Sequence, residues 1–162
     1  MDTEQAIINA LYFRLQGDEE LKDLMGESYL HLGQAPKDAT FPYLTHRLDT
    51  SSAGDPWVIR NGTYYLNIWD RHQTAERMTL IRSRLLDILD RSYIGLIDTK
   101  GTFMTVSQPL AGEPVPILIA ARVFLDTSGL ILEETDIWHY VLQFSIRHTR
   151  ALQEIDRITK EE

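Results

Sequence analysis

The sequence predicts an α+β fold: an antiparallel or mixed β-sheet with helices packed on one face, plus an extra C-terminal helix. Three observations predict it. The spacing of apolar residues switches along the chain between two and three-to-four, which separates strands from helices. The strands are joined by hairpin-length connections, which favours antiparallel neighbours. Each helical stretch carries one apolar stripe and so must lie against another layer. A chain of 162 residues fits one domain over residues 1–162, with a core at about 3–147 and the helical extension at about 149–160.

The elements follow in order. Ile7, Ile8, Leu11 and Leu15 recur at helical spacing, predicting a helix from Thr3 to Leu15 that Gly17 ends. Asp18 is placed to cap a second short helix reaching Met25, with Leu21, Leu24 and Met25 on its apolar side and Gly26 as its stop. Tyr29 to Leu32 reads as a short strand, and Gly33 to Thr40 as a loop. In Phe41-Pro42-Tyr43 the proline holds Phe41 extended, so the aromatics open a strand from Tyr43 to about Asp49. Residues 50–62 (TSSAGDPWVIRNG) are rich in Ser, Gly, Pro and Asn and read as a long loop or hairpin arm ending in the Asn61-Gly62 turn signal.

From Thr63 to Trp69 the pattern alternates, with Tyr64, Leu66 and Ile68 on one side. The period then lengthens: Ala75, Met78, Ile81, Leu85 and Ile88 mark the strongest helix in the chain, roughly 16 residues long. Gly95 to Thr99 is loop-like, Thr102 to Val106 a short strand, and Gln108 to Pro116 a second proline-bearing loop. Ile117 to Leu125 reads as a strand and Asp126 to Gly129 as a turn. In the last strand Trp138, Tyr140, Leu142, Phe144 and Ile146 face one way, and His139, Gln143, Ser145 and Arg147 the other. Leu152, Ile155 and Ile158 define the closing helix, about Thr149 to Thr159. If the strands flanking the long helix are parallel, that passage is a right-handed crossover.

Composition excludes several functions. Without cysteine there is no disulfide framework, thiol nucleophile, zinc knuckle or iron–sulfur cluster. The 24 acidic and 16 basic residues leave a net charge of −8, a field that repels phosphate backbones, so specific nucleic-acid binding is not expected. The most apolar run, Val115 to Ala121, stops at Arg122, far short of the roughly 20 residues a membrane helix needs. The acidic start, MDTEQAII, lacks the order of a signal peptide, which predicts a protein kept in a cytoplasm.

The motifs of catalysis are missing too. There is no phosphate-cradling GxxxxGK[ST] or GxGxxG, no HExxH and no GxSxG elbow. None of the five histidines lies three or four residues from another in a helical setting, so neither a metal nor a cofactor is expected. His139 reads as a solvated or hydrogen-bonded strand residue. Asn61-Gly62-Thr63 matches a glycosylation sequon, but reads as a turn. Asp70-Arg71-His72 at the strand-to-helix junction admits two readings. Asp70 and His72, with His46, would serve a small hydrolase as an acid–base set. Alternatively Asp70, with Gln73 three residues on, or else Thr74, caps the helix. Capping is preferred, because neighbouring side chains need not converge and no third group is seen to orient the histidine.

Taken as an ordered series, "DEELKDLMG" (18–26), "FPYLT" (41–45), "LNIWD" (66–70) running into a helix that ends "RLLDIL" (84–89), and the final "WHYVLQFSI" (138–146) resemble the tail-completion or tail-terminator family of long-tailed, siphovirus-like bacteriophages. The resemblance covers about residues 3–147; the region at about 93–116 is longer than in that family and the C-terminal helix is additional. The resemblance implies a ring, usually a homohexamer, on the head-proximal end of the tail tube. Such a ring ends tube polymerisation and joins the tail to the head connector, so the implied partners are further copies of the chain, the tail tube protein and a connector or head-closure protein. It implies a virion location after assembly in the host cytoplasm, and no catalytic residues. Trp57, with Arg60, Asp55 and Val58 around it, is the expected interface contact, since exposed aromatics in long loops supply contact energy. Another neck component, such as a head-closure or connector-adaptor protein, is the alternative within the same class.

Overall fold

The structure, a computed structural model, describes residues 3–50, 59–97 and 119–149. The expected strand at 102–106, the loop at 108–116, the closing helix beyond Thr149, and Asp55, Trp57 and Val58 lie outside those residues. The described chain forms α1 (Thr3–Gln16), α2 (Glu19–Met25), β1 (Leu30–Leu32), β2 (Tyr43–Thr50), β3 (Ile59–Arg71), α3 (Glu76–Leu89), β4 (Ser92–Ile97), β5 (Ile119–Glu134) and β6 (Ile137–Thr149). The strands make one sheet in the order β1-β2-β3-β6-β5-β4. Only β1 and β2 are parallel; every other pair is antiparallel. The mixed α+β architecture expected from the pattern is therefore present.

One face of this sheet carries the core. Tyr64, Leu66 and Ile68 of β3, Leu142, Phe144 and Ile146 of β6, and Ala121 and Val123 of β5 are buried by the alternation of side chains along each strand. Ile7, Leu11 and Leu15 of α1 and Met78, Ile81 and Leu85 of α3 close over them, with the helical spacing that marked them in the sequence. α3 packs on β3, β5 and β6, whereas α1 packs on both β2 and β4, so the sheet curls around α1. The passage from β3 through α3 to β4 is not a βαβ crossover. β6 and β5 stand between the two strands, and the three successive antiparallel pairings leave β3 and β4 running in opposite directions.

The helix ends are satisfied individually. The Tyr29 hydroxyl, in a residue only 1% exposed, donates to the Leu15 carbonyl at 2.9 Å, one of the acceptors an α-helix leaves unpaired at its end. Asp18 caps α2 by accepting from the Leu21 amide at 2.8 Å, and Gly26 ends it at φ 84°, where a side chain would be strained. Asp18 also ties α2 to α3: Arg84 donates through Nε at 3.0 Å and through a terminal nitrogen at 2.5 Å, and meets Glu20 at 3.1 Å. The hydrogen bonds from Arg84 hold the Asp18 carboxyl below its ordinary pKa. Asp18→Ala is expected to lower stability by about 2 kcal/mol, losing the cap and the partly buried ion pair together. Asp18→Asn keeps the cap and should lose less than half of that, as read from denaturant midpoints.

Three expected features differ, two of them for a packing reason. Asn61-Gly62 is not a turn: Gly62 is paired on both sides, with Thr50 of β2 and Ile146 of β6. A Cβ there would lie 3.1 Å from the Asp49 carbonyl oxygen, so the glycine permits close approach of two backbones. Asp126 to Gly129 is likewise strand; the register shifts between Leu125 and Thr127, and again between Leu132 and Glu134. These irregularities absorb the turn-prone residues while the apolar alternation of β6 holds β5 against it. The reversal comes at Thr135 and Asp136 instead. Residues 95–97, expected as loop, belong to β4.

The two ends of the sheet differ. The strand ends at Thr50, Ile59, Ile97, Ile119 and Thr149 all fall at one end by register. α1 begins there too, where the Thr50 hydroxyl donates to Glu4. The other end holds the tight β5–β6 reversal and the junction of β3 with α3.

Candidate functional site

The junction that carries the acid, base and histidine lies between β3 and α3. Asp70 is a strand residue opposite Trp138. The alternation that buries Ile68 buries Asp70 as well, leaving it 1% exposed. Both of its oxygens are taken by Arg77 in the first turn of α3: Nε donates at 2.9 Å, and a terminal nitrogen donates to the second oxygen. This two-point fork raises the Arg77 pKa further, chiefly through the hydrogen bonds to Asp70. The expected cap is thus corrected. Neither Asp70 nor Thr74 caps α3; the N-cap is Ala75, with no side-chain hydrogen bond. Asp70 holds the helix from the side, through Arg77 in its first turn.

His72 serves the same junction mainly through its backbone. Its amide donates to the Asp136 carbonyl at 3.0 Å, and its carbonyl accepts from Trp138 Nε1 at 3.1 Å, fastening the end of β3 to the β5–β6 reversal. Its ring Nδ1 accepts from the Thr74 amide at 3.2 Å. His46 is elsewhere. It lies opposite Leu66, four residues from Asp70 and so about 13 Å away along the strand. It is 2% exposed, with Nδ1 2.8 Å from the Tyr64 hydroxyl, and burial pushes its pKa down to about 4. Burial also raises the Tyr64 pKa far above its ordinary value. The neutral ring and the protonated hydroxyl therefore share one buried hydrogen bond. The structure does not bring Asp70, His72 and His46 together as an acid–base set.

The opposite face of the sheet presents a band of rings across β2, β3 and β6. Trp69 and His139 stack at 3.8 Å with 11° between their planes. Tyr43 lies 6.4 Å from Trp69, Phe41 5.2 Å from Tyr43, and the Arg71 guanidinium sits 5.1 Å over Phe41. His139 is hydrogen-bonded at both nitrogens, to Glu133 of β5 and to Asn67 of β3, each at 2.9 Å. It is the hydrogen-bonded strand residue expected from its position. The rings largely spend their faces on each other, so the band braces the sheet. Further along this face an open groove of about 390 Å³ is lined by short or polar residues including Asn61, Thr63, Ser145 and Arg147.

Of the expected interface residues, Arg60 lies in β3 opposite His148, while Asp55, Trp57 and Val58 fall outside the described residues. Other exposed apolar residues were not anticipated: Tyr12 and Phe13 on α1, Leu32 on β1, Leu80 on α3, and Leu130, Ile131 and Leu132 on β5. For the last three the signal was the run "GLILEE", which three consecutive apolar residues make too apolar for a solvated strand edge. It was masked by reading Asp126 to Gly129 as a chain reversal.

No family model matches this chain, and no curated protein matches it. Its fold does match a solved structure. A chain of the virion of a native gene transfer agent particle superposes with a TM-score of 0.64 over 91% of this chain and 98% of that one, at 13% sequence identity. The likeness is one of fold.

Proposed function

We propose that this protein is a structural component of a phage-like virion. In this reading it caps the head-proximal end of a tail tube as a ring, carries out no catalysis, and joins the tube to the head connector.

 The observation that carries this reading is the superposition over 91% of the chain with a chain of a gene transfer agent virion. The motif series from "FPYLT" to "LNIWD" and its helix supports the tail-terminator position in particular. The chemistry of the junction is compatible with it, because Asp70 and His72 are spent on joining β3, α3 and the β5–β6 reversal. Closed rings form from heterologous contacts, one patch meeting a different patch on the next copy.

Thr50 and Ile59, which flank Asp55, Trp57 and Val58 in the sequence, lie at the same end of the sheet as Thr149 and the start of α1. We assign that end, with Arg60 at its margin, to contact with the neighbouring ring of the virion. Deleting the gene from its phage is the decisive experiment. Tail tubes of uncontrolled length, restored to one length by the supplied protein, are expected. Tails of normal length that fail to join heads would instead assign the protein to another neck position, as a head-closure or connector-adaptor component.

A further inference from the structure

The exposed large apolar side chains among the described residues gather at the two edges of the sheet. At one edge Leu32 of β1 is 59% exposed and Phe13 of α1 56%. Tyr12, edge-on to Phe13 at 5.7 Å, lies over His46, which is the register partner of Leu32. At the other edge Leu130, Ile131 and Leu132 of β5 are 43%, 44% and 52% exposed. Leu80 is exposed on α3, whose Arg82 donates to Ser128 of β5 at 3.2 Å.

The β5 edge is built to be covered. β4 pairs with β5 only as far as Val123, and the next exposed amide, that of Leu125, is taken by the Asp90 carboxylate at 2.8 Å. Beyond it, among the described residues, no strand pairs with β5 on the side away from β6. Leu130 and Leu132 stand opposite Tyr140 and Trp138, and Ile131 opposite His139, so apolar side chains project from both faces of the strand. A continuous apolar run is the mark of a strand buried on both faces. A solvated edge would carry charges or a proline instead.

We propose that the β5 edge of one copy, Leu130 to Leu132, seats against the β1–α1 edge of the next, formed by Leu32, Tyr12 and Phe13, in a head-to-tail contact. The proposal rests on the ring reading above and supplies its subunit contact. A single chain has one of each patch, which is what a heterologous contact requires. Charge agrees with the pairing: Glu134 lies two residues past the apolar run, Arg14 follows Phe13, and neither is in an ion pair among the described residues. Burial already lowers the Arg14 pKa, so a carboxylate arriving from the next copy meets a guanidinium that is partly stripped of water.

The chain has no cysteine, so Leu32→Cys and Leu132→Cys each introduce a single reactive thiol. Treated with a short bis-maleimide at high protein concentration, a mixture of the two variants is expected to give a cross-linked dimer that neither gives alone. The double variant should give a ladder of multimers. Dimers from either single variant alone, no dimer in the mixture, or only an internal cross-link in the double variant would overturn the contact. Ile131→Lys, at an exposed position, should keep the thermal midpoint of the parent while weakening self-association about 10-fold or more; unchanged association would also overturn it. A ladder that ends at a fixed number supports contact and ring together, whereas one that runs on without limit keeps the contact and removes the ring. If no ladder forms, the contact falls, and the ring reading is decided separately by tail length in the deletion phage.

Discussion

Arg77→Met is expected to destabilise the protein by roughly 3–5 kcal/mol, because it leaves a buried carboxylate without its partner. Asp70 is 1% exposed, whereas the Arg77 side chain is 36% exposed, so the two halves of the pair are not equivalent. Removing the arginine strands a charge inside the protein. Removing the charge with Asp70→Asn leaves a guanidinium that can turn to water, and should cost much less. The double variant should recover most of the loss, since it buries no unpaired charge. For a chain of this size the single substitution corresponds to a fall of about 10 °C in the thermal midpoint. Urea denaturation of the three variants checks the ordering. Equal losses from Arg77→Met and Asp70→Asn would show that the fork contributes through packing, with little role for charge.

Acid is the second large effect. Burial carries the His46 pKa from its ordinary 6.5 down to about 4, so the unfolded chain takes up a proton at this residue before the folded one does. Its contribution to stability is therefore fully present above pH 6.5, declines as the pH falls from 6.5 towards 4, and is gone below that. The whole step is worth about 3 kcal/mol. The ring meets the Tyr64 hydroxyl and the Tyr12 ring, and burial raises the Tyr64 pKa far above that range. Asp18, held below its ordinary pKa of 3.8 by Arg84, loses its own contribution only at more acidic pH. Denaturant titrations of the parent and of His46→Gln across this range test the prediction. The difference between them should change slope between pH 6.5 and 4, and a difference that is flat there would refute it.

Much of the fold was legible because local pattern and tertiary burial agree. Ile7, Leu11 and Leu15, or Met78, Ile81 and Leu85, are spaced as a helix and buried as one. Asp18 and Gly26 cap α2 as their residue types suggest. Legibility failed where a residue's usual local role yielded to a neighbour distant in sequence. Gly62 resembles a turn, yet it is fixed by the backbone of β2 beside it. Asp126 to Gly129 resembles a turn, yet β6 holds it in the sheet. Asp70 resembles a cap, yet its partner lies seven residues on, in the helix itself. The interface was harder still. Nothing in the spacing of Leu32 and Leu130 says that they lie towards opposite margins of one sheet, because only the strand order places them there.

Four strand ends, at Thr50, Ile59, Ile97 and Ile119, share one end of the sheet, which bears on where the fold tolerates changes in chain length. Residues 51–58 are bracketed by Thr50 and Ile59, and residues 98–118 by Ile97 and Ile119, all fixed in the ladder on both sides of each interval. Insertions or deletions within those intervals leave the strand register unchanged, since the paired residues set it. Changes of length within those intervals are therefore absorbed at one end of the sheet, without shifting the pairing that holds the core in place.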